Sequence, residues 1–187
     1  MTKTFFTGDT HFGHANIIKY CHRPFATVTE MDEALIANWN HVVTPDDLVY
    51  HLGDFCFGNT PAEFHRYFDR LNGAIVLIKG NHDKLAWRHR HLFRAFFDSY
   101  LEIKLDMQLV TLCHYAMRVF RNSHYGAWHL YGHSHGTLPD DPHTLSFDAG
   151  VDCHHFTPLS LEQVTAIMAK KTFKPVDHHH ETEPTRS

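Results

Sequence analysis

The sequence predicts an α/β fold in which two packed sheets are flanked by helices. In the first half of the chain, up to about residue 80, strand-like segments alternate with segments of helical periodicity. In the second half, short strand-like segments follow one another without a helix until about residue 160. The length of 187 residues suits one compact domain, and a hydrophobic content of 43% is enough to build its core.

The first strand and the first helix follow from local signals. Residues 4–7 are β-branched or aromatic and stop at Gly8, which predicts a short buried strand. Thr29 followed by Asp32 resembles a capping box, and apolar residues recur at every fourth position after it. These signals predict a helix over about residues 30–41.

A second strand, a helix and a central strand come next. Residues 47–52 are predicted to form the second strand. Thr60 and Pro61 supply a cap and a first-turn proline for a helix that ends at Asn72-Gly73. Residues 74–78 are almost wholly apolar, as expected for a central strand covered on both faces.

The second half completes the two sheets. Four further strands are predicted, at residues 101–105, 109–113, 128–131 and 145–147. Ser160 then opens a final helix. We expect residues 1–176 to form the domain and the polar residues 177–187 to be a disordered tail. A metal-handling role for His178-His179-His180 in that tail is the alternative.

The composition argues against several classes of protein. Lys and Arg number 17 against 21 Asp and Glu, so the net charge of −4 provides no overall attraction to nucleic acid or to a membrane surface. No apolar run reaches the roughly 20 residues of a membrane span, and the opening segment is too short for a signal peptide, so we expect a cytoplasmic protein. Four scattered cysteines argue against disulfides or a cysteine zinc site and favour reduced core thiols.

Side chains that can bind metal ions follow several of the predicted strands. The chain contains 20 histidines, and imidazole is the commonest metal ligand in proteins. Because open α/β sheets bind ligands beyond the carboxyl ends of their strands, we expect these side chains to converge. They are Asp9, His11, Asp54, Asn81, His82, His114, His133 and His135.

This set of donors predicts a pair of divalent metal ions. Oxygen and nitrogen ligands without thiolate favour Mn²⁺, Fe or Zn²⁺ with open coordination positions over a closed structural zinc site. Two ions about 3.5–4 Å apart, bridged by one carboxylate, would use the set more fully than one ion. Such a pair lowers the pKa of a bridging water and neutralises a phosphoryl group during attack by the resulting hydroxide. Hydrolysis of a phosphate ester is therefore the predicted reaction.

His82 is the predicted catalytic residue that binds no metal. It lies between Asn81 and Asp83 in the chain. It can donate a proton to the leaving oxygen while Asp83, the second predicted catalytic residue, orients its ring or stabilises its charged form.

Five motifs, in this order, resemble the signature of the calcineurin-like metallophosphoesterase superfamily over about residues 4–160. They are Asp9-Thr10-His11, Gly53-Asp54, Gly80-Asn81-His82-Asp83, Cys113-His114 and Gly132-His133-Ser134-His135. The resemblance implies a four-layer α/β/β/α sandwich of two mixed sheets, with the metal site at the carboxyl ends of strands. It implies that Asp54 bridges the two metals and that His82 lies next to the phosphate. The implied ligands are Asp9, His11 and His135 for one metal and Asn81, His114 and His133 for the other.

The flanking residues narrow the resemblance. Residues 9–18, Arg23-Pro24-Phe25 and residues 130–136 resemble a subgroup of small bacterial and phage phosphoesterases whose substrate is poorly defined. The expected cofactors are two divalent metal ions, with manganese first and iron, zinc or nickel as alternatives.

Several side chains near the predicted ligands are candidates to bind a substrate phosphate. They are Asn81, His82, His14, Asn16, Arg23 and Arg118, with Arg121 a similar candidate. For His14 and Asn16 the alternative is that they cap the next helix. A basic run with an aromatic ring, formed by Lys84, Trp87, Arg88, Arg90 and Arg94, suits either a nucleic-acid strand or a solvated helix face.

The short chain also bears on the substrate. It leaves no room for a separate cap domain, and an open site accepts diesters and nucleotides more readily than it selects one small monoester. We therefore expect a phosphodiesterase for nucleotides or nucleic acid. A phosphomonoesterase is the alternative, and a non-catalytic binding module is a remoter one that the presence of His82 disfavours. The sequence leaves the native substrate, the metal and the oligomeric state open.

Overall fold

The structure, a computed structural model, describes residues 2–176. The described residues form five α-helices and nine strands. The helices are α1 (Ala15–Tyr20), α2 (Val28–Val42), α3 (Pro61–Phe68), α4 (Lys84–Arg88) and α5 (Leu161–Met168). The strands are β1 (Thr4–Thr7), β2 (Leu48–His51), β3 (Ala74–Ile78), β4 (Ala95–Phe97), β5 (Tyr100–Leu105), β6 (Gln108–Cys113), β7 (Trp128–Tyr131), β8 (Ser146–Asp148) and β9 (Leu159–Ser160).

The strands form two mixed sheets. The first has the order β4-β3-β2-β1-β9, in which β9 is antiparallel to β1 and the other neighbours are parallel. The second has the order β5-β6-β7-β8, in which only β5 runs antiparallel to its neighbour. Helices flank these sheets, so the predicted fold class is confirmed.

The first sheet presents its two faces to two different cores, because successive strand residues point to opposite sides. On one face, Phe5 and Val49 pack with Trp39 and other buried residues of α2, α3 and α4. On the other face, Phe6 packs against the second sheet, where Leu130 of β7 is 0% exposed. Helix α5 adds buried residues to this second core.

A loop covers part of the outer face of the second sheet. Met117 donates its backbone N–H to Nε2 of His129 at 3.0 Å, and the Phe120 ring lies 5.2 Å from the ring of His129. The segment 115–127, with a 3-10 turn at Ser123–Tyr125, therefore supplies part of the fourth layer.

Two capping signals lead to different outcomes. The box at Thr60 is present, since its hydroxyl accepts from the N–H of Glu63 and the Glu63 carboxylate accepts in return. The box predicted at Thr29 is wrong, because α2 begins two residues earlier than that cap would place it, with Thr27 as its cap. Asp32 is instead buried and accepts a hydrogen bond from the N–H of Gly13 at 3.0 Å.

Other expectations are only partly met. The second strand was predicted over residues 47–52, whereas β2 covers Leu48–His51. Asp47 lies before the strand, where its carboxylate accepts hydrogen bonds from the N–H groups of Lys3 and Thr44. Of the four cysteines, Cys56 and Cys113 are buried thiols, whereas Cys153 is exposed and Cys21 is partly exposed, so the expectation of core thiols is wrong for the last two.

Four short elements were not predicted: α1, α4, β4 and β9. Among the described residues, no helix has both the length and the apolar character needed to cross a bilayer. The predictions for residues 177–187, including His178-His179-His180, fall outside the described residues.

Candidate metal centre

The carboxyl ends of both sheets meet at one edge of the molecule, and the loops that leave them run side by side. The N–H of Asp9 donates to the carbonyl of Gly53 at 2.9 Å, and that of His11 to the carbonyl of Asp54 at 2.9 Å. The N–H of Val151 donates to the carbonyl of Gly8 at 3.1 Å, which joins the second sheet to the first. Parallel strands thus bring residues far apart in sequence to a single place.

Five of the seven predicted metal ligands have a left-handed backbone conformation. The φ angles are 55° at Asp9, 49° at His11, 56° at Asp54, 67° at His133 and 47° at His135. Such angles are uncommon outside glycine, and they persist only where the surrounding structure holds them. The loops are therefore held in strained turns that direct these five side chains.

Two glycines allow the turns to pack closely. A Cβ on Gly132 would lie 2.5 Å from Oδ2 of Asp9. Gly53 has a φ of +96°, and a Cβ there would lie 2.7 Å from Nδ1 of His114. Since real Cβ atoms do not approach so closely, any larger residue would displace the ligand beside it.

One group of ligands consists of Asp9, His11 and His135, each with a ligand atom within 4.8 Å of the others. Asp9 and His11 are buried, and Oδ1 of Asp9 and Nε2 of His11 have no hydrogen-bond partner among the described residues. Buried polar atoms nearly always have a hydrogen-bond partner. Two unpartnered atoms that can coordinate a metal, in one group of ligands, are therefore what a cation site requires.

The second group consists of Asp54, His114 and His133, with ligand atoms also within 4.8 Å of one another. Oδ1 of Asn81 lies 2.9 Å from Nε2 of His114, so Asn81 adds a fourth possible metal ligand to this group. Oδ2 of Asp54 lies 3.4 Å from Nε2 of His11 and 3.6 Å from Nε2 of His114. The Asp54 carboxylate therefore lies between the two groups.

The protonation states suit metal binding at His114. Burial lowers the pKa of His114 to about 4, so its ring is neutral at pH 7. Its Nδ1 lies 2.8 Å from the carbonyl of Leu52, which can only accept, so Nδ1 carries the proton and Nε2 keeps a lone pair.

The two buried carboxylates of the centre are only partly compensated by the positive charge of His135. Burial raises the pKa of Asp9 well above its ordinary value and raises the pKa of Asp54 as well. Burial also lowers the pKa of His11, so the imidazole of His11 adds no positive charge beside them at neutral pH. A divalent cation would supply the positive charge that the carboxylates need in order to be ionised.

Asp152 is a site residue that the sequence did not reveal. Its Oδ2 lies 2.7 Å from Nδ1 of His135, and it also accepts two hydrogen bonds of 2.8 Å from Arg23. Burial lowers the pKa of His135, but the hydrogen bonds to Asp152 and Cys21 outweigh it and raise this pKa to about 10. Since Asp152 lies in no recognisable motif, only the structure could identify it.

Arg23 is not available to bind a substrate phosphate, so that prediction is wrong. Its residue is 4% exposed, and its guanidinium donates to Asp152 and to the carbonyls of Asp9 and Thr10. It lies beneath the ligand loop and ties that loop to the segment that holds Asp152.

Asp83 also has a different role from the one predicted. Its carboxylate is buried and accepts from the N–H groups of Asp54, Phe55 and Gly80 at 2.8, 2.8 and 2.7 Å. These contacts hold the loops after β2 and β3 together. The predicted role of orienting His82 is therefore wrong, because the three amides occupy both carboxylate oxygens.

His82 and His14 lie at the entrance of the centre. The N–H of His82 donates to Oδ1 of Asp54 at 2.8 Å, and its ring lies 5.5 Å from the ring of His11. The ring of His14 lies 6.1 Å from that of His82, and its Nδ1 is 3.3 Å from Nδ1 of His11. Asn16 is exposed on α1, and its contact with substrate stays a prediction.

The predicted arginines of the second half lie elsewhere. Arg118 lines a small cavity with Thr144 and Leu145, which immediately precede β8 and so lie at the amino edge of its sheet. This placement overturns its predicted contact with phosphate. Arg121 pairs with Glu102 at 2.8 Å. In the basic run, the guanidinium of Arg90 packs over the ring of Trp87, and binding of nucleic acid there stays a prediction.

A sandwich of two mixed sheets that places two histidine–carboxylate groups at its carboxyl edge defines a class of metal-dependent hydrolases. The chain matches the family model of the calcineurin-like phosphoesterase superfamily domain over residues 4–155. This protein belongs to that superfamily.

Two relatives show how far the similarity extends. The chain is 35% identical over 176 residues to the uncharacterized protein MJ1445 of Methanocaldococcus jannaschii, covering 91% of this chain and 93% of that one. It is similar in fold to the crystal structure of AQ665, a protein of unknown function from Aquifex aeolicus. The TM-score is 0.70 at 23% identity, with 89% of this chain and 100% of that one covered.

A phage protein matches part of the chain. Over 86 residues the chain is 38% identical to the gene 66 protein of Mycobacterium phage L5, which is 44% of this chain and 41% of the phage protein.

Proposed function

We propose that this protein is a dinuclear metal-dependent phosphodiesterase for nucleotides or nucleic acid, with manganese as the first candidate metal. One observation carries the proposal: Oδ2 of Asp54 lies 3.4 Å from His11 in one ligand group and 3.6 Å from His114 in the other. A carboxylate between two ligand groups is what a two-metal site needs to hold its ions close together. The preference for diesters rests on the exposure of His82 and Asn81 at an open surface.

When bound, two divalent cations would supply an ionised water near neutral pH and offset the negative charge of the phosphoryl group. One group, Asp9, His11 and His135, would hold one cation. Asn81, His114 and His133 would hold the other, with Asp54 shared between them.

His82 is the proposed proton donor. Its backbone N–H is hydrogen-bonded to Asp54, so the residue is held beside the shared carboxylate. Its exposed ring would hold a proton at an imidazole nitrogen and donate it to the leaving oxygen of the ester. His14, whose ring centre lies 6.1 Å from that of His82, is a further predicted substrate residue that would contact the same phosphate.

The experiment is hydrolysis of an aryl phosphodiester and an aryl phosphomonoester by purified protein loaded with manganese. We expect His82→Ala to lower the rate about 10²–10⁴-fold with metal still bound, because only proton donation is lost. Asp54→Ala should lose metal occupancy itself. His65→Ala is the matched control, since His65 lies on α3 and pairs with Asp69.

The outcomes separate the alternatives. Unchanged manganese-stimulated rates in both His82→Ala and Asp54→Ala would refute the proposed site. A monoester hydrolysed faster than the diester would favour the phosphomonoesterase. Metal binding without turnover of either ester would favour a binding module.

We also propose a cytoplasmic location. All four cysteines are free thiols, which a reducing compartment maintains.

A further inference from the structure

Exposed aromatic rings lie on both sides of the metal centre. On the side of His82, Phe57 is 43% exposed and its ring centre lies 5.7 Å from that of His82. On the other side, Tyr115 is 49% exposed and its ring lies 4.7 Å from that of His133. The hydroxyl of Tyr115 donates to Oδ1 of Asn81 at 3.5 Å.

Phe57 is exposed although the residues just before it in the chain are buried. Phe55, two residues before it, is 0% exposed, and Cys56 between them is 2% exposed. The backbone of Phe57 is anchored, since its N–H donates to the carbonyl of Phe12 at 2.7 Å. A rigid backbone thus presents this ring to solvent beside His82.

The ring of Phe57 is part of a row of flat side chains. It stacks on His14 with ring centres 4.2 Å apart and planes inclined by 10°. Tyr20, 70% exposed, lies edge-on to His14, with ring centres 6.3 Å apart and planes inclined by 75°. Stacked, polarisable rings with polar neighbours suit a heteroaromatic base better than an aliphatic chain, because a base offers a flat face and polar edges.

We infer that the centre binds a phosphodiester between two unpaired nucleosides, with Phe57 stacking on the base of the leaving nucleoside. This inference rests on the proposed function, in which His82 protonates the leaving oxygen. Because Phe57 flanks His82, it lies on the side of the leaving group. Tyr115, at the opposite side, faces the nucleoside that keeps the phosphate.

The reaction balances without a further reactant. A bond forms between phosphorus and the oxygen of water, and the bond between phosphorus and the sugar oxygen of the leaving nucleoside breaks. The leaving oxygen takes the proton of His82, the proton of the water passes to solvent, and His82 takes up a proton from solvent. The products are a nucleoside and a nucleotide.

The test compares a thymidine dinucleotide with two analogues that each lack one base. Product analysis identifies which sugar leaves, and kcat/KM is measured for the dinucleotide and for the analogue without a base on that sugar. We expect the manganese-loaded protein to prefer the dinucleotide about tenfold, since a factor of this size is what stacking of one base on an exposed ring contributes. Phe57→Leu should bring this ratio close to one.

Two further variants make the result specific to the ring. Phe57→Tyr keeps a stacking surface and should keep the ratio. Tyr125→Leu removes a ring that is 80% exposed just before β7, at the amino edge of that sheet, and should leave the ratio unchanged.

Each failure has its own meaning. Equal rates with and without the base, or a ratio that Phe57→Leu leaves unchanged, would overturn the stacking inference. Turnover of an aryl diester, but not of the dinucleotide or its two analogues, would also overturn it while leaving a phosphodiesterase in place. The absence of metal-dependent turnover of any diester would overturn both.

Discussion

Replacement of Asp152 gives the sharpest test of how the centre is supported. The carboxylate of Asp152 lies 2.7 Å from Nδ1 of His135. It also forms an ion pair with Arg23, which is 4% exposed. Burial raises the pKa of Asp152, but hydrogen bonds from His135 and Arg23 outweigh it and keep this pKa below its ordinary value. The carboxylate is therefore charged at neutral pH, and Asp152→Asn removes that charge.

Two effects of known size follow. Removing one partner of a buried ion pair costs about 3–5 kcal/mol, because the other charge is left uncompensated. Losing the hydrogen-bond partner of a metal-bound histidine lowers metal affinity about 10–100-fold. Denaturant unfolding measures the first effect on the metal-free protein, and manganese titration by calorimetry measures the second.

The chain offers a matched control in Glu33, which pairs with Arg70 at 2.6 Å through two hydrogen bonds at the surface. Glu33→Gln removes the same kind of pair from solvent, so it should cost at most about 1 kcal/mol and leave metal affinity unchanged. An Asp152→Asn protein that matched this control in both stability and metal affinity would refute the supporting role of Asp152.

The remaining predictions concern burial, close contact and protonation. Burial lowers the pKa of His51 to about 3, from 6.5 in the unfolded chain, so only the unfolded state gains this proton as pH falls through 6.5. The free energy of unfolding should therefore drop by about 2 kcal/mol from this group between pH 7 and pH 5, and His51→Gln should reduce the drop. Gly132→Ala places a Cβ 2.5 Å from Oδ2 of Asp9 and should abolish metal binding. In the control Gly126→Ala the nearest atom is 4.0 Å from the new Cβ, so this change should cost only the left-handed strain of about 1–2 kcal/mol. Equal metal binding by the two variants would contradict this prediction. Asp83→Ala leaves three backbone N–H groups without their acceptor and should cost at least about 3 kcal/mol in urea unfolding, and a loss below about 1 kcal/mol would show that water replaces the carboxylate.

The long apolar segments and the strand ends were predictable from the sequence. Residues 74–78 are apolar throughout because both faces of β3 are covered, and the bounds of β3 match the predicted range. The predicted start of the final helix at Ser160 is correct, since Ser160 caps α5 and forms a capping box with Gln163, a pattern that is local in sequence. The ligand residues were recognisable for the same reason, because each directly follows a strand or lies in the loop after it.

Contacts between distant segments were not predictable in the same way. Arg23 and Asp152 are 129 positions apart, and nothing in either local sequence indicates that they pair. Asp83 stands beside His82 in the chain, but its carboxylate points to the amides of the neighbouring loop. Short elements such as β4, with three residues, form because a neighbouring strand offers an open edge, and not because of their own composition.

At five positions of the centre, the residue that metal binding requires differs from the residue that the left-handed backbone favours. At each of them glycine would relax the backbone, but only aspartate or histidine can hold a cation. Exchanging one of these residues for glycine should relieve about 1 kcal/mol of backbone strain, but it also removes the side chain's own hydrogen bonds, such as those that Asp9 and Asp54 accept from backbone N–H groups, and it should abolish the cation site. The backbone strain of the metal-free protein at these five turns is therefore explained by metal binding and not by stability.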